Sequence, residues 1–561
     1  MSNTDQFEMS RMGVKSTQFS VGEPPRGHTR SGSNGGYNGG VTTSMSSGKR
    51  LDRGFGSLSV LCLSITLLSS WEAVANGFEA GLINGGPAGL VWGMVLSLVG
   101  TTLIMLSMAE MSSMTPLAGA QYHWTAALAP PRIQAFSTWI QGWITVFGWQ
   151  ASTTSICYLI ASQIQAMVLL NNPSYAPKQW QGTLIMWAVI LGAGLVNIYG
   201  IKMLPALQMM GGILHITLFI ALVVPIILLS RRSTPEFVFT ELLTAEHGWQ
   251  SPGVAWCLGM LTVTYCFLGF DGAIHMSEEV RNPATVMPRV LCQTIAISGV
   301  LAFTFLIVIL FCIGSVQNAL NPQYIFPIIA IFRETTNSSK AATAMQTAIT
   351  GIGLISNVGV VASVSRLTWA FARDGGLPFS QYFAHVSFHI DVAHLFCDTF
   401  FKDTDQYSSQ VDRRHRVPTR AILLVCGAVV ILSVINVASE TALSAILALS
   451  TSSLYVSYLI PIAMMIIRRF DTSRGPIPFG PWKLGRYGLP INIISLIYGI
   501  FVCIFVPFPT QIPVTAANMN WSGPVFLGVV LLLLVDWTFR ARHKFVGPSK
   551  DLLFSKSKAA S

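Results

Sequence analysis

Apolar stretches long enough to cross a bilayer recur along this chain and constrain its fold more than any other feature. Hydrophobic residues make up 52% of its 561 residues and charged residues 10%, a balance typical of membrane proteins. We predict an all-α integral membrane protein with about twelve transmembrane helices. The predicted spans cover 57–82, 87–112, 134–169, 182–201, 204–230, 253–278, 288–315, 341–371, 419–437, 442–467, 488–508 and 523–539.

The two ends of the chain are polar. Residues 1–55 are rich in Ser, Gly and Thr and carry too little apolar surface to fold, so we predict a disordered tail without a removable signal peptide. Residues 56–545 are predicted to form the twelve-helix membrane domain, and 546–561 a second tail.

Lysine and arginine indicate the orientation of the chain. An even number of spans puts both termini on one side, and the loops of the opposite side hold only Lys178, Arg231, Arg232, Arg333 and Lys340. By the positive-inside rule, both termini are predicted to be cytosolic. The net charge of +10 then reflects cytosolic loops, and we expect no nucleic-acid partner. The apolar segment 321–332 is too short to cross and is predicted to form a helix lying at the outer surface.

The sixth predicted span contains an acid between two glycines, in "CFLGFDGAIHMSEEVRNP". Gly269 and Gly272 lower the helix propensity where Asp271 must also be accommodated, which predicts a break in the helix. Unwound backbone survives in a bilayer only where it faces protein or a wet cavity. The alternative is that the glycines permit close helix packing and that Asp271 lies at the headgroup level.

The first predicted span shows a related pattern. Ser69, Ser70, Trp71 and Glu72 interrupt an apolar run. An ionisable group at membrane depth costs about 2.5–3.5 kcal/mol and usually lines a pathway. The two interruptions are five helices apart, and matched interruptions in two halves of a chain indicate the substrate site of a transporter.

Five motifs in matching order resemble a known family. They are "SSWEA" (69–73), "GLINGGPAGLVWG" (81–93), "AEMSSMTPLAGAQYHWTAALAP" (109–130), "FLGFDGAIHMSEEVRNPATVMPR" (267–289) and "SRLTWAFARDGGLPFS" (365–380). Over about residues 50–545, the chain resembles the fungal amino acid, GABA and choline permease branch of the amino acid–polyamine–organocation superfamily. The resemblance implies a fold of two inverted five-helix repeats plus two C-terminal helices, which works by alternating access.

The resemblance also implies a substrate site where the two broken helices meet. Its predicted members are Ser70, Trp71, Glu72, Ala73, Phe267, Leu268, Gly269, Phe270 and Asp271. The exposed N-terminus of a half-helix attracts a carboxylate, and free carbonyls at a half-helix C-terminus accept hydrogen bonds from an ammonium group. A zwitterionic amino acid fits both ends.

Three further groups carry open alternatives. Glu278, Glu279 and Arg281 either form ion pairs that close a cytosolic gate or lie in a solvated loop whose Asn-Pro ends the helix. His215, inside span 5, either carries a coupled proton or is a neutral histidine bonded to backbone. His123, in the segment after span 2, either relays a proton or packs, and packing is favoured for that segment over substrate contact.

Span 8 contains the polar residues Ser356, Asn357, Ser363 and Ser365. In sodium-coupled relatives, hydroxyls of this helix bind the ion. Such side chains also join helices through hydrogen bonds. No clear sodium site emerges from the sequence, so proton coupling is preferred.

Residues 387–410 interrupt the pattern that the family leads one to expect. Without them, Val386 would join Val411 in a continuous loop into span 9. We hypothesise a retained intron in the gene model, and a genuine regulatory loop is the alternative. A cytosolic loop tolerates such added length.

The combined prediction is a proton-coupled importer of a small amino compound, GABA or another amino acid, in the plasma membrane or alternatively the vacuolar membrane. A carrier of choline or another cationic amine and a nutrient sensor without net transport are the alternatives. We find no nucleophile–base set, no metal-ligand spacing and no paired cysteine motif, so we expect no enzyme, no cofactor and no metal. The oligomeric state stays open.

Overall fold

A computed structural model describes residues 54–242, 248–249, 251–321, 323–385, 387–389, 415–509, 511–515 and 519–549. Residues 1–53 and 550–561 of the predicted tails, and 390–410 of the suspected insertion, lie outside the described residues.

The described chain forms twelve helices long and apolar enough to cross a membrane, each matching one predicted span. We number them as spans 1 to 12. They run Ser57–Ile83, Gly86–Met114, Gln134–Asn171, Gln179–Tyr199, Leu204–Leu229, Pro252–Glu279, Pro283–Phe311, Ser339–Arg373, Thr419–Ala438, Thr441–Phe470, Gly485–Phe505 and Ser522–Lys544.

Two spans are each divided into two helices. Span 1 consists of span 1a (Ser57–Leu68) and span 1b (Ser70–Ile83), and span 6 consists of span 6a (Pro252–Tyr265) and the 3₁₀ helix of span 6b (Phe270–Glu279). Span 1b packs against span 6a, and span 1a packs against span 6b. The two breaks therefore lie next to each other inside the bundle, five helices apart in the sequence.

Short helices lie outside the spans. They are Gln121–Leu128, Pro235–Thr240, Val316–Ala319, Pro327–Thr336, Ser380–Phe383 and the 3₁₀ turn Thr472–Arg474, while span 11 itself begins with the 3₁₀ turn Gly485–Tyr487. Span 12 ends through a π-helical turn, Trp537–Ala541. Two three-residue strands, Ser387–His389 and His415–Val417, pair antiparallel at the two ends of the suspected insertion.

A short helix, Pro327–Thr336, forms in the apolar segment between spans 7 and 8, as predicted. Its residues from Pro327 to Phe332 are all buried. It packs against span 1b, span 5 and span 8. Burying this apolar run against the bundle removes more surface from water than a position at the interface would.

Span 7 begins at Pro283, earlier than the predicted start at 288, and Pro288 lies inside the helix. A proline removes the hydrogen bond to the carbonyl four residues earlier, which is that of Ala284. In the structure the Ser113 hydroxyl of span 2 donates to this carbonyl at 2.8 Å. A side chain from a neighbouring span thus replaces the missing backbone donor.

The same arrangement recurs in span 10 (Glu440–Phe470), which contains Pro461. The carbonyl freed by this proline belongs to Ser457, and Nε2 of Gln141 in span 3 donates to it at 3.0 Å. Polar side chains buried in spans 2 and 3 therefore permit prolines inside spans 7 and 10.

Candidate functional site

Span 1 breaks at a single residue, Ser69, whose φ of 39° is left-handed. This conformation costs a non-glycine residue roughly 1–2 kcal/mol. The Ser69 hydroxyl donates to the Thr66 carbonyl at 2.5 Å and so satisfies one acceptor at the end of span 1a. The backbone N–H groups at the start of span 1b have no earlier turn to bond to, as at any helix N-terminus. The predicted interruption of span 1 is confirmed.

Span 6 breaks between Tyr265 and Phe270, and Gly269 takes a φ of 96°. A Cβ on Gly272 would lie 2.9 Å from the Trp149 ring of span 3. Gly269 is therefore needed for backbone conformation, and Gly272 for close packing. The predicted break is confirmed, and the alternative reading of packing holds for Gly272.

A cavity of about 90 Å³ lies beside both breaks. A single water needs about 10–15 Å³ by the same measure, so the cavity has room for a few waters or a small molecule. It is lined by Leu67, Leu68, Ser69, Glu72, Ala73, Asn76, Trp149, Ser152, Ile156, Leu159, Ile160, Gln163, Tyr265, Leu268, Gly269, Ile349, Gly353, Ser356 and Val360. Glu72 is the one charged side chain in this lining.

The cavity lies on one side of the breaks. We call the face where span 1 begins, at Ser57, the N-terminal face. The lining residues of span 1 continue from the break toward the opposite face, as do those of span 3 up to Gln163. Asn76 and Gly77, about two turns beyond the break, are half-buried and exposed, respectively. The cavity therefore extends toward the face opposite the N-terminal face.

Four of the nine predicted substrate residues line this cavity: Glu72, Ala73, Leu268 and Gly269. The other five are buried and outside the lining, and they are Ser70, Trp71, Phe267, Phe270 and Asp271. For these five, contact with substrate stays a prediction that requires a different conformation of the protein.

Two of these five, Ser70 and Trp71, each donate a hydrogen bond to the backbone of another span. The hydroxyl of Ser70 donates to the carbonyl of Ser298 in span 7 at 3.0 Å. The indole Nε1 of Trp71 donates to the carbonyl of His215 in span 5 at 3.2 Å.

The Asp271 carboxylate is fully buried and accepts three hydrogen bonds from three parts of the chain. Its donors are Nε2 of Gln121 at 2.5 Å, Nε1 of Trp149 at 3.1 Å and the hydroxyl of Tyr458 at 2.6 Å. His275 Nε2 lies 3.5 Å away. A buried charge needs such pairing, since removing it from water costs several kcal/mol. Asp271 is thus held by protein donors rather than hydrated by the cavity.

Tyr458 of span 10 makes a second contact at the break in span 6. Its hydroxyl accepts a hydrogen bond at 3.2 Å from the backbone N–H of Gly269, the left-handed residue. One oxygen atom therefore joins span 10 to both the backbone and the carboxylate of the break.

Glu72 and His215, which the sequence singled out separately, form a pair. Oε1 of Glu72 lies 2.7 Å from Nδ1 of His215, and both side chains are almost fully buried. Oε2 of Glu72 has no hydrogen-bond partner among the described residues. The pair joins span 1b to span 5, with its carboxylate end at the cavity.

Ion pairs join spans 6 and 8 at the N-terminal face. Glu278 accepts two hydrogen bonds from the Arg373 guanidinium, at 3.0 and 3.1 Å. Glu279 pairs with Arg366 at 2.7 Å. Arg281 is exposed and forms no ion pair with a described residue, so the alternative of a solvated loop fits it, and the two acids pair with arginines of span 8 instead.

The segment Thr115–Trp124 contacts residues on both sides of these ion pairs. It consists of a turn and the beginning of the helix Gln121–Leu128, and we call it the 115–124 loop. Toward span 6b, the backbone N–H of Ala118 donates to Glu278 and its carbonyl lies 2.8 Å from Nδ1 of His275. Toward the end of span 8, the Tyr122 hydroxyl and His123 Nε2 contact Oδ2 of Asp374, at 2.9 and 2.7 Å. The favoured packing role of this segment agrees with these contacts.

The position of Asp374 affects its ionisation. Burial alone would raise the pKa of this carboxyl, but the hydrogen bond and charge of His123, with Arg373 and Tyr122, outweigh burial. The net result is a pKa below the ordinary aspartate value. Asp374 therefore stays ionised at neutral pH and holds the 115–124 loop.

The polar side chains of span 8 differ in their contacts. Ser363 donates to the Gly272 carbonyl in span 6b at 2.5 Å, and Ser365 donates to Ala362 within its own helix. The Ser363 contact ties span 8 to the broken helix next to its turn. Ser356 lines the cavity, and Asn357 contacts the thiol of Cys157.

The sequence analysis did not single out Asn76, Trp149, Gln163 or Tyr458. Asn76 lies one helical turn after Glu72, so the i to i+4 spacing was the available signal for it. The other three residues come from spans 3 and 10, whose alignment with the breaks is visible only in three dimensions.

Comparison with known proteins identifies the family. A model of the amino acid permease family matches residues 55–532. The choline transporter of Saccharomyces cerevisiae is 27% identical, with 88% of this chain and 83% of that protein covered. Amino-acid permease 2 of Neurospora crassa is 27% identical, covering 86% and 82%. Amino-acid permease BAT1 of Arabidopsis thaliana is also 27% identical, covering 90% and 95%.

These matches support an integral, multi-pass membrane protein that transports small amino compounds, rather than an enzyme. The ordered motifs, the twelve spans and the breaks in spans 1 and 6 agree with them. The chain belongs to the amino acid permease family, in the fungal permease branch of the amino acid–polyamine–organocation superfamily.

Proposed function

We propose that this protein imports a small amino compound, GABA or another amino acid, across the plasma membrane by alternating access. The observation that carries this proposal is the asymmetry around the two breaks. A cavity extends from them toward one face, while buried pairs such as Glu278–Arg373 lie toward the N-terminal face. This is the arrangement of a carrier open to, or loaded from, the side opposite its termini. With the termini in the cytosol, the loading side is the outside.

The ends of the substrate would be held by groups at the breaks. A carboxylate fits the positive N-terminus of span 1b, and an amino group fits the Glu72 carboxylate and the free carbonyls of span 1a. Rotation of the half-helices would bring Trp71 and Phe270 into contact with the substrate, as the sequence predicts. Such rotation must first break the hydrogen bonds that Asp271 accepts in this conformation.

The Glu72–His215 pair supports proton coupling. It is buried at the edge of the cavity, and histidine changes charge in the physiological pH range. A proton entering with the substrate would change the charge of this pair, and its release on the cytosolic side would restore the pair. Glu278, Glu279, Arg366 and Arg373 would separate when that side opens.

Uptake into proteoliposomes tests the proposal. Purified protein is reconstituted, labelled amino acids including GABA are offered, and an inward proton gradient is imposed with and without a protonophore. We expect saturable uptake of one or more amino acids that the gradient drives and the protonophore abolishes. Uptake that does not depend on the proton gradient would contradict proton coupling. Binding without flux at any gradient would favour a nutrient sensor.

A matched pair of variants links uptake to the break in span 6. Gly269→Ala introduces a side chain at φ 96° and within 3.3 Å of Trp149, so we expect most uptake to be lost. Gly351→Ala, in span 8, adds a Cβ that meets nothing within 4 Å and is the control. Equal uptake by both variants would argue against the role of the break.

A carrier of choline or another cationic amine is the second candidate, and the similarity to the yeast choline transporter favours it. A quaternary ammonium is recognised by aromatic faces and carboxylates. Choline uptake unaffected by excess GABA would support this candidate and reject the first.

A further inference from the structure

Three residues of the cavity lining each carry an acceptor atom that has no hydrogen-bond partner among the described residues. These atoms are Oε2 of Glu72, Oδ1 of Asn76 and Oε1 of Gln163. Glu72 is 4% and Gln163 3% exposed, so both side chains are nearly cut off from bulk water. A buried acceptor without a donor costs about 1–3 kcal/mol, which makes three in one small cavity a demand for a ligand rich in donors.

The orientation of two of these groups is set by their other contacts. Asn76 donates its amide N–H to the Glu72 carbonyl at 2.6 Å, so rotating the amide would place two oxygens against each other. Oε1 of Glu72 is occupied by His215, which leaves Oε2 as the acceptor available to a ligand. Glu72 and Asn76 are one helical turn apart on span 1b, and Gln163 comes from span 3.

The lining offers few aromatic faces for a methylated ammonium. Among the described lining residues none is Lys, Arg or His, so the cavity is negative. Its aromatic members are Trp149 and Tyr265. Trp71, Phe267 and Phe270 are buried outside the lining and form no aromatic cage around the cavity.

We propose that Glu72, Asn76 and Gln163 form a subsite for a primary ammonium group, so that the transported compound carries N–H donors on its cationic nitrogen. A primary ammonium has three donors and one positive charge, which match three acceptors of which one is a carboxylate. A trimethylammonium has the charge but no N–H, and it leaves all three acceptors unpartnered. This inference rests on the proposed function only in placing the substrate in this cavity.

Pairs of probes that differ only in N-methylation test the subsite. The full-length protein in detergent is incubated with ethanolamine or choline, glycine or its N-trimethyl form, and 4-aminobutyrate or its N-trimethyl form, and ligand-induced thermal stabilisation gives each Kd. In every pair of which at least one member binds, we expect the primary amine to bind at least about tenfold more tightly than its trimethylated form, equivalent to about 1.4 kcal/mol. Equal or tighter binding of a trimethylated member, or no binding by any probe, would overturn the subsite.

A variant separates hydrogen bonding from folding. Gln163→Met keeps the length of the side chain and removes its acceptor, so we expect the preference for the primary amine to fall several-fold while binding of the trimethylated member is unchanged. Gln346→Met is the control, because Gln346 is a buried glutamine outside the lining whose side chain has no hydrogen-bond partner in the part of the chain that the structure describes. If both variants keep the full preference, Gln163 is not part of the subsite as proposed.

The test of the ammonium subsite measures binding and can therefore fail or succeed separately from the test of transport. Selective binding of primary amines with no flux into proteoliposomes would refute the proposed importer and leave the ammonium subsite standing. Flux of an amino compound together with preferred binding of trimethylated probes would support the importer and refute the ammonium subsite.

Discussion

Replacing Tyr458 by Phe removes one oxygen atom and, with it, two hydrogen bonds at the break in span 6. The lost bonds are the donation to Oδ1 of Asp271 at 2.6 Å and the acceptance from the Gly269 N–H at 3.2 Å. A hydrogen bond to a charged group contributes about 1.5–3 kcal/mol, and an orphaned buried N–H costs about 1–3 kcal/mol. The sum is about 2.5–6 kcal/mol. Measured pairs between membrane helices average about 0.6 kcal/mol, so we expect the lower end of this range.

The assay is reversible unfolding of the purified protein from detergent micelles by increasing SDS, followed by tryptophan fluorescence. We expect Tyr458→Phe to lower the free energy of unfolding by about 2–3 kcal/mol. Tyr382→Phe is the control, since Tyr382 is 55% exposed on a short helix, and we expect it to change stability by less than about 0.5 kcal/mol.

A double-mutant cycle with Asp271→Asn isolates the Tyr458–Asp271 contact from the Gly269 contact. We expect a coupling energy of about 1–2 kcal/mol, because the amide oxygen that remains accepts more weakly than a carboxylate. If Tyr458→Phe is as stable as the control, or if the cycle shows no coupling, the account of Asp271 as a buried charge held by donors is wrong.

Three more changes probe other parts of the structure. Glu72→Gln keeps the size of the side chain but removes the charge facing His215, so we expect proton-driven uptake to fall at least about tenfold, and uptake that still follows the gradient would contradict the coupling role. Ser113→Ala leaves the Ala284 carbonyl without its donor, so SDS unfolding should show a loss of about 1–2 kcal/mol, and an unchanged value would show that water replaces the hydroxyl. The pKa of Asp374 is lowered in the folded protein, so its stabilising effect is complete above the ordinary aspartate value of about 3.9 and is lost as pH falls through the lower folded value. Melting temperatures measured from pH 6 down to about 2.5 should therefore fall less steeply in Asp374→Asn than in the unchanged protein, and parallel curves would refute the assignment.

The sequence predicted the features that depend on local composition. Hydropathy located every described span, and Gly269 marked the break in span 6 because only its backbone takes a φ of 96° at little cost. Glu72 was recognised as functional because a carboxylate at membrane depth is expensive without a role.

The partners of these residues could not be predicted in the same way. Asp271 accepts hydrogen bonds from residues 122 to 187 positions away, and hydropathy contains no information about such pairs. The position of Asp271 in a glycine-flanked break suggested a wet cavity, but the packing of Trp149 and Tyr458 closes it off from one. Arg281 was considered as a gate cation, with a solvated loop as the alternative, whereas Arg366 and Arg373 reach the acids from another helix.

The 115–124 loop has a consequence for how the N-terminal face can open. It contacts span 6b through Ala118 and Gln121, and it contacts the residue after span 8 through Tyr122 and His123. Separating the two spans must leave the loop attached to one of them and detach it from the other. The loop therefore acts as a mechanical linkage, and substitutions within it can change the rate of the transport cycle without touching the transported molecule.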